Sequence, residues 1–185
     1  MAAIDVAGFV ADLKNHAVDH GFHVHDERHF VETYSLRQAW EIDLHPESAC
    51  GGPVDIHLLL DVDPRTLLAF EDAFNTLSED EEPVDDFHFP LVLTWNLPPM
   101  QQGPDLLRLT IDLAPIGGMT LPLEVSATDT FASATETGER RVNIVARVPV
   151  SLAAISRGDD PLCDLFERSG IISNFLLEQA ESWPG

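Results

Sequence analysis

Five of the chain's eight histidines fall between His16 and His29, in the stretch HAVDHGFHVHDERH. Imidazole exchanges protons near neutrality and ligates first-row metal ions, so this stretch is where chemistry is first sought. His16 and His20 stand four apart in a helical pattern and share a face from which both could reach one ion. His23 and His25 stand two apart in a strand pattern and share a face as well. The run from His25 to His29 has the length of a zincin motif, but its glutamate is third and the segment reads as strand and turn. Metalloprotease chemistry needs two histidines one helical turn apart with the glutamate beside the first, so that motif fails.

A wider pattern survives. If the apolar positions of neighbouring strands point inward, the outward ones are His23 and His25, then Glu41, Asp43 and His45, then Asp55 and His57. Cross-strand neighbours lie about 5 Å apart, so these side chains could form one His/carboxylate grid. Such a grid suits Zn²⁺ or another first-row ion, with His23, His25, Asp43, His45 and His57 as candidate ligands. Neighbouring carboxylates would also raise histidine pKa values and make the face respond to mild acid. The simpler reading of the same residues is a solvated sheet exterior, whose positions must be polar in any case.

The stretch LLLDVDPRT, residues 58–66, ends a hydrophobic run in Asp61 and Asp63. Paired acids at a strand end are similar to the Mg²⁺ carboxylates of phosphoryl-transfer enzymes, and to the haloacid-dehalogenase phosphatase signature. That signature wants Thr or Val two residues after the second Asp; Arg65 stands there and Thr66 comes one place late. Asp63 before Pro64 has a sufficient role as a helix N-cap. No nucleophile elbow, phosphate loop or dinucleotide turn occurs, and no catalytic residue is assigned. Cys50 lies in a loop with no base beside it in sequence and reads as an ordinary thiol, and Cys163 falls in a helix. Two cysteines do not make a disulfide framework.

These residues have to be placed by regular elements. Val6, Phe9, Val10, Leu13 and Ala17 recur at helical spacing, and Gly21 supplies a stop. Strands are expected at 22–25 and 29–36, turning through Asp26-Glu27-Arg28, with one long strand as the alternative. Trp40, Ile42 and Leu44 alternate in the next strand, and Val54, Ile56, Leu58, Leu60 and Val62 in another. A helix opens at Asp63-Pro64 with Leu67, Phe70, Phe74 and Leu77 as its stripe, and an acidic connector at 78–86 ends it. Leu91 to Leu97, Leu107 to Leu113, Leu121 to Val125 and Val142 to Val150 each alternate as strands do, with a polar, mobile loop expected at 128–139. A last helix from about Pro161 buries Leu162, Leu165, Phe166, Ile172, Leu176 and Trp183. Gly170 within it costs about 1 kcal/mol relative to Ala, which predicts a bend or close packing.

The expected fold is therefore α+β, ordered α-βββ-α-ββββ-α. A mainly antiparallel, curved sheet of about seven strands packs with N-terminal, central and C-terminal helices. Residues 1–185 read as one domain, or as intimate halves 1–77 and 87–185 joined by the loop 78–86. In topology and charge this order resembles the class I type III secretion chaperones and their relatives. The resemblance implies an acidic, non-enzymatic protein.

Thirty-two Asp and Glu face ten Lys and Arg, for a net charge of −22, and Lys14 is the only lysine. That field repels phosphate backbones and anionic lipid, so neither nucleic acid nor membrane is an expected partner. No apolar run approaches the roughly 20 residues that span a bilayer, and the first residues lack the basic region of a signal peptide; a cytoplasmic location is expected. Source-wide composition accounts for the acidity most simply, and a surface shaped for a basic partner is the alternative. The leading functional expectation is a non-enzymatic binding or regulatory module that engages a protein partner without a cofactor; a homo-oligomer is compatible with it. The rival is a metal-dependent enzyme or small-ligand binder, using a divalent ion on the His/Asp face or at Asp61 and Asp63.

Overall fold

A computed structural model describes residues 4–78, 80–133, 138–159, 162–180 and 182–183. Helix α1 spans Val6–Asp19 and is capped by Asp5, whose carboxylate accepts from the Gly8 amide at 2.9 Å. Its stripe of Phe9, Val10, Leu13 and Ala17 is buried, and Gly21, at φ +79°, turns the chain out of the helix. Strands β1 (Phe22–Val31), β2 (Gln38–Pro46) and β3 (Asp55–Val62) follow, with a single 3₁₀ turn at Glu47–Ala49 between the last two. Helix α2 (Pro64–Phe74) leads to β4 (His88–Asn96), and α3 (Leu106–Gly117) to β5 (Leu123–Thr130) and β6 (Glu139–Ser151). The short α4 (Leu152–Arg157) and the long α5 (Leu162–Ala180) complete the order.

The six strands form one open sheet in the order β1-β2-β3-β4-β6-β5, with every neighbouring pair antiparallel. Helices α1 and α3 pack against the edge strands β1 and β5, and α5 lies against both helices and against β2. The strand positions turned toward this layer form the core: Ile42, Leu44, Ile56, Leu58, Leu60, Leu91, Leu93, Trp95, Ile144 and Ala146 are buried. The alternate positions Glu41, Asp43, Asp55, His57, Thr94 and Arg147 remain half-buried or exposed on the other face. The Trp95 indole donates to Ser173 Oγ at 3.0 Å, and Ser173 Oγ donates in turn to the Ser169 carbonyl at 2.7 Å. The Ser173 hydroxyl thereby satisfies the one polar atom that the buried tryptophan side chain brings between sheet and α5.

The α+β class and the antiparallel sheet are as expected; the count of about seven strands is not. Leu107, Leu109, Ile111 and Leu113 alternate in sequence, yet the segment is helix α3. Asp105 caps it by accepting from the Arg108 amide at 2.9 Å, and Gly118, at φ +62°, ends it. Leu109 and Leu113, four apart, are buried, whereas Leu107 and Ile111 stay exposed at 71% and 59%. The helical spacing was present in the same letters, and cap and stop decide between the two readings. The turn at Asp26–Arg28 is absent and the alternative holds: β1 is one strand throughout, though it ends at Val31, short of the expected 36. Residues Val24 and Asp26 pair with the consecutive Leu44 and Asp43, so His25 is an extra residue, a β-bulge. Helix α5 runs unbroken past Gly170, where an added Cβ would meet nothing within 4 Å, so close packing is not the reason for that glycine. Within the loop expected to be mobile, 134–137 lie outside the described residues, as does Pro161.

Candidate metal centre

The bulge at His25 decides which side chains of β1 reach the face turned away from α1, α3 and α5. Before it, His23 alternates with the core residues Phe22 and Val24. After it the parity changes: Asp26 pairs with Asp43, and Arg28 with Glu41, on that same face, while Glu27 turns back toward the helices. There Lys14 of α1 meets Glu27 at 2.5 Å. Were His25 paired in ordinary alternation, His23 and Arg28 would fall on opposite faces.

His23 and His45 are direct cross-strand partners. Their rings meet edge to face at 4.8 Å, with His23 Nδ1 3.1 Å from His45 Nε2. The third member comes from a loop. Pro46 ends β2, the 3₁₀ turn follows, and Gly51 (φ +77°) and Gly52 fold the chain back; an added Cβ on Gly52 would lie 2.7 Å from the Ala49 carbonyl oxygen. The Glu47 amide ties this loop to the Gly21 carbonyl at 2.8 Å. The result places Cys50 Sγ 3.1 Å from His45 Nε2. One ligand atom from each of His23, His45 and Cys50 lies within 4.8 Å of the others.

This trio borders a cleft of about 730 Å³ whose walls also carry His25, Asp43, Asp55 and His57. The His25 and His45 rings are 5.8 Å apart. His45 is only 8% exposed. Burial, followed by the nearby His23 and His25, pushes its pKa below the ordinary value of 6.5, against a smaller upward pull from Asp55. That direction is opposite to the expectation that carboxylates would dominate this face.

One row along the strands, Asp43 joins an imidazole and a guanidinium. His57 Nδ1 lies 2.8 Å from one of its oxygens and the Arg28 guanidinium 2.9 Å from the other, while Arg28 also reaches Glu41 at 3.1 Å and Asp26 at 2.7 Å. Partial burial works against ionisation of Asp43, but the hydrogen bonds from His57 and Arg28 outweigh it and hold the carboxyl below its ordinary range. A carboxylate only accepts, so the imidazole carries its hydrogen on Nδ1 and turns Nε2 outward.

The structure thus brings His23 and His45 together, puts His25 beside them, and sets Asp43 and His57 in an adjoining hydrogen-bonded pair. Asp61 and Asp63 do not join any of these groups. Arg37 holds Asp61 through two bonds of 2.7 and 2.5 Å, and Asp63 caps α2 by accepting from the Arg65 amide at 2.9 Å. Cys50 was passed over because no base neighbours it in sequence; the signal was His45 five residues before it, with Pro46 and Gly51-Gly52 marking a chain that doubles back. His16 and His20 face the other way, toward α5, where the His20 ring lies 6.4 Å from that of Phe166.

The edges of a tetrahedral zinc site follow from its bond lengths: about 3.3 Å between nitrogens and about 3.5 Å between nitrogen and sulfur. The two 3.1 Å separations at His45 therefore need to open by only a few tenths of an ångström to admit an ion. Two imidazoles and one thiol match the ligand preference of zinc, and the open side of the trio faces the cleft. Among the described residues no helix is long and apolar enough to cross a membrane. No protein-family model matches the chain, and no curated protein or solved structure is significantly similar to it.

Proposed function

We propose that this protein is a metal-binding module, and that zinc is taken by His23 Nδ1, His45 Nε2 and Cys50 Sγ. One observation carries the reading: donor atoms from β1, β2 and the following loop converge within 4.8 Å at the wall of a cleft. Burial favours the neutral form of His45 that a metal requires. His25 and Asp55 line the same cleft and could supply a fourth ligand; otherwise that position is open to water or a small anionic ligand. The test is a zinc titration of chelator-stripped, tag-free protein by competition with a chromophoric chelator. Stoichiometric binding that Cys50→Ser and His45→Gln each weaken supports the site; binding untouched by both variants removes it.

A second reading, engagement of a basic protein partner, draws support from a different place. The β1–β2 hairpin exposes Phe30, Tyr34 and Leu36 at 50%, 99% and 60% on a chain of net charge −22. Apolar anchors within an acidic field suit a cationic, partly apolar segment. An arginine-rich amphipathic peptide is the probe: its affinity should fall with ionic strength and with Tyr34→Ala, and a salt-independent affinity sinks this version.

A further inference from the structure

The chain has two cysteines, and the metal centre above uses one of them. The other sits in a second cluster of the same composition. His16 and His20 occupy the last turn and the C-cap of α1, with ring centroids 6.3 Å apart, and Cys163 lies in the first turn of α5. Cys163 Sγ is 4.0 Å from His16 Nδ1, and one ligand atom from each of the three residues lies within 4.8 Å of the others. We propose that this is a second, independent zinc site, which joins α1 to α5 across the helix layer.

Three features support it beyond proximity. First, the His20 Nδ1 lies 2.8 Å from the His16 carbonyl oxygen. A carbonyl only accepts, so that nitrogen carries the hydrogen, and Nε2 is left with the lone pair a metal needs. A backbone carbonyl fixing the far nitrogen is the usual outer partner of a ligating histidine. Second, the first turn of a helix favours negative charge, and Cys163 occupies it, so the thiolate form required of a ligand is placed where backbone dipoles support it. Third, the helices that must hold the donors are already packed: Leu13 and Ala17 of α1 and Phe166 of α5 are fully buried around the cluster's base. The 4.0 Å between Cys163 and His16 exceeds the roughly 3.5 Å nitrogen–sulfur edge of a zinc site by about half an ångström, and small rotations of the exposed Cys163 and the half-buried histidines can close the set.

The histidine stretch then has a division of labour. His16 and His20 serve one cysteine, His23 serves the other, and the turn at Gly21 sends them to opposite faces of the protein. Both sites draw on a borderline-soft ion by the same donor chemistry, and neither shares a ligand with the other.

Native mass spectrometry of chelator-stripped, tag-free protein reloaded with zinc tests this, with cobalt substitution reporting thiolate ligation through its near-ultraviolet charge-transfer band. The wild type should take two ions per chain. Cys163→Ser and His20→Gln should each take one, and Cys50→Ser should also take one, with each cysteine variant losing about half of the cobalt–thiolate absorbance. Cys50→Ser/Cys163→Ser should lose all of it. Circular dichroism of each variant shows that the helices persist. The proposal is overturned if Cys163→Ser keeps both ions and the full absorbance, or if the wild type takes only one ion and Cys50→Ser abolishes it. A wild type that takes one ion, lost in Cys163→Ser and kept in Cys50→Ser, supports this site and removes the one at His45.

Discussion

His45 Nε2 stands 3.1 Å from Cys50 Sγ, its partner only five residues along the chain. A strand end and a glycine-folded loop produce this closeness, and His23 comes to it from the neighbouring strand. A complete structural zinc site is worth on the order of 10–16 kcal/mol, or about 3 kcal/mol per ligand. Cys50→Ser should therefore weaken zinc at this centre by roughly 100-fold, and His23→Gln by a similar factor. Competition titrations of the two variants against wild type provide the check.

Acid should weaken the metal-free fold through His45. Its pKa is lowered in the folded state, by burial first and by His23 and His25 next, so the unfolded chain binds this proton more readily. The favourable contribution is complete above the ordinary value of 6.5 and is lost as pH falls through it toward the folded value. Urea midpoints of chelator-treated protein at about pH 7 and about pH 5.5 should differ more for wild type than for His45→Gln. An identical difference in both proteins would falsify the assignment to His45.

Asp43 should fix the tautomer of His57. With the carboxylate accepting from Nδ1, the neutral ring keeps its hydrogen there; in Asp43→Ala that constraint is gone and the Nε2–H form should grow. Imidazole ¹⁵N shifts distinguish the two. The pair is about one-third exposed, so the accompanying loss of stability should stay below about 1 kcal/mol.

The serine ladder behind Trp95 should cost more to break at one rung than at the next. Ser173→Ala leaves a buried indole N–H without its acceptor and should destabilise by about 1–3 kcal/mol. Ser169→Ala removes only a bond donated to the Leu165 carbonyl and should cost less than about 1 kcal/mol. Denaturant midpoints of the two variants should rank in that order.

Helix α3 makes a sharp distinction among four leucine-like positions. Leu113→Ala should cost about 2–5 kcal/mol, as a fully buried leucine does, while Leu107→Lys and Ile111→Lys should stay within about 0.5 kcal/mol of wild type. Comparable losses at all four positions would restore the strand reading.

That segment also shows where sequence reading was sufficient and where it was not. Strands such as Val54 to Val62 have no helical alternative in their apolar spacing, and all five of their alternating residues are buried. Residues 107–113 satisfied both periods, and short apolar runs do not separate them without the cap at Asp105. The candidate site followed the same rule. His23 and His45 were legible because alternation places side chains on faces, whereas Cys50 was not, because a loop's return path is written in glycine dihedrals rather than in period. The bulge at His25 was likewise invisible: nothing in FHVHDERHFV marks which residue goes unpaired.

That unpaired residue gives β1 one position of slack that its neighbours lack. Val24 and Asp26 already pair with the consecutive Leu44 and Asp43, so deleting His25 would join them in ordinary alternation, with Phe22 and Val24 still turned toward the helices and His23, Asp26 and Arg28 still turned away from them. In β3 every residue from Ile56 to Leu60 is paired, so the loss of Leu59 has no spare residue to absorb it and inverts the strand on one side of the gap. Deletions at those two positions should therefore part company: the face on which the metal centre is built survives the shorter β1 and is dismantled by the shorter β3.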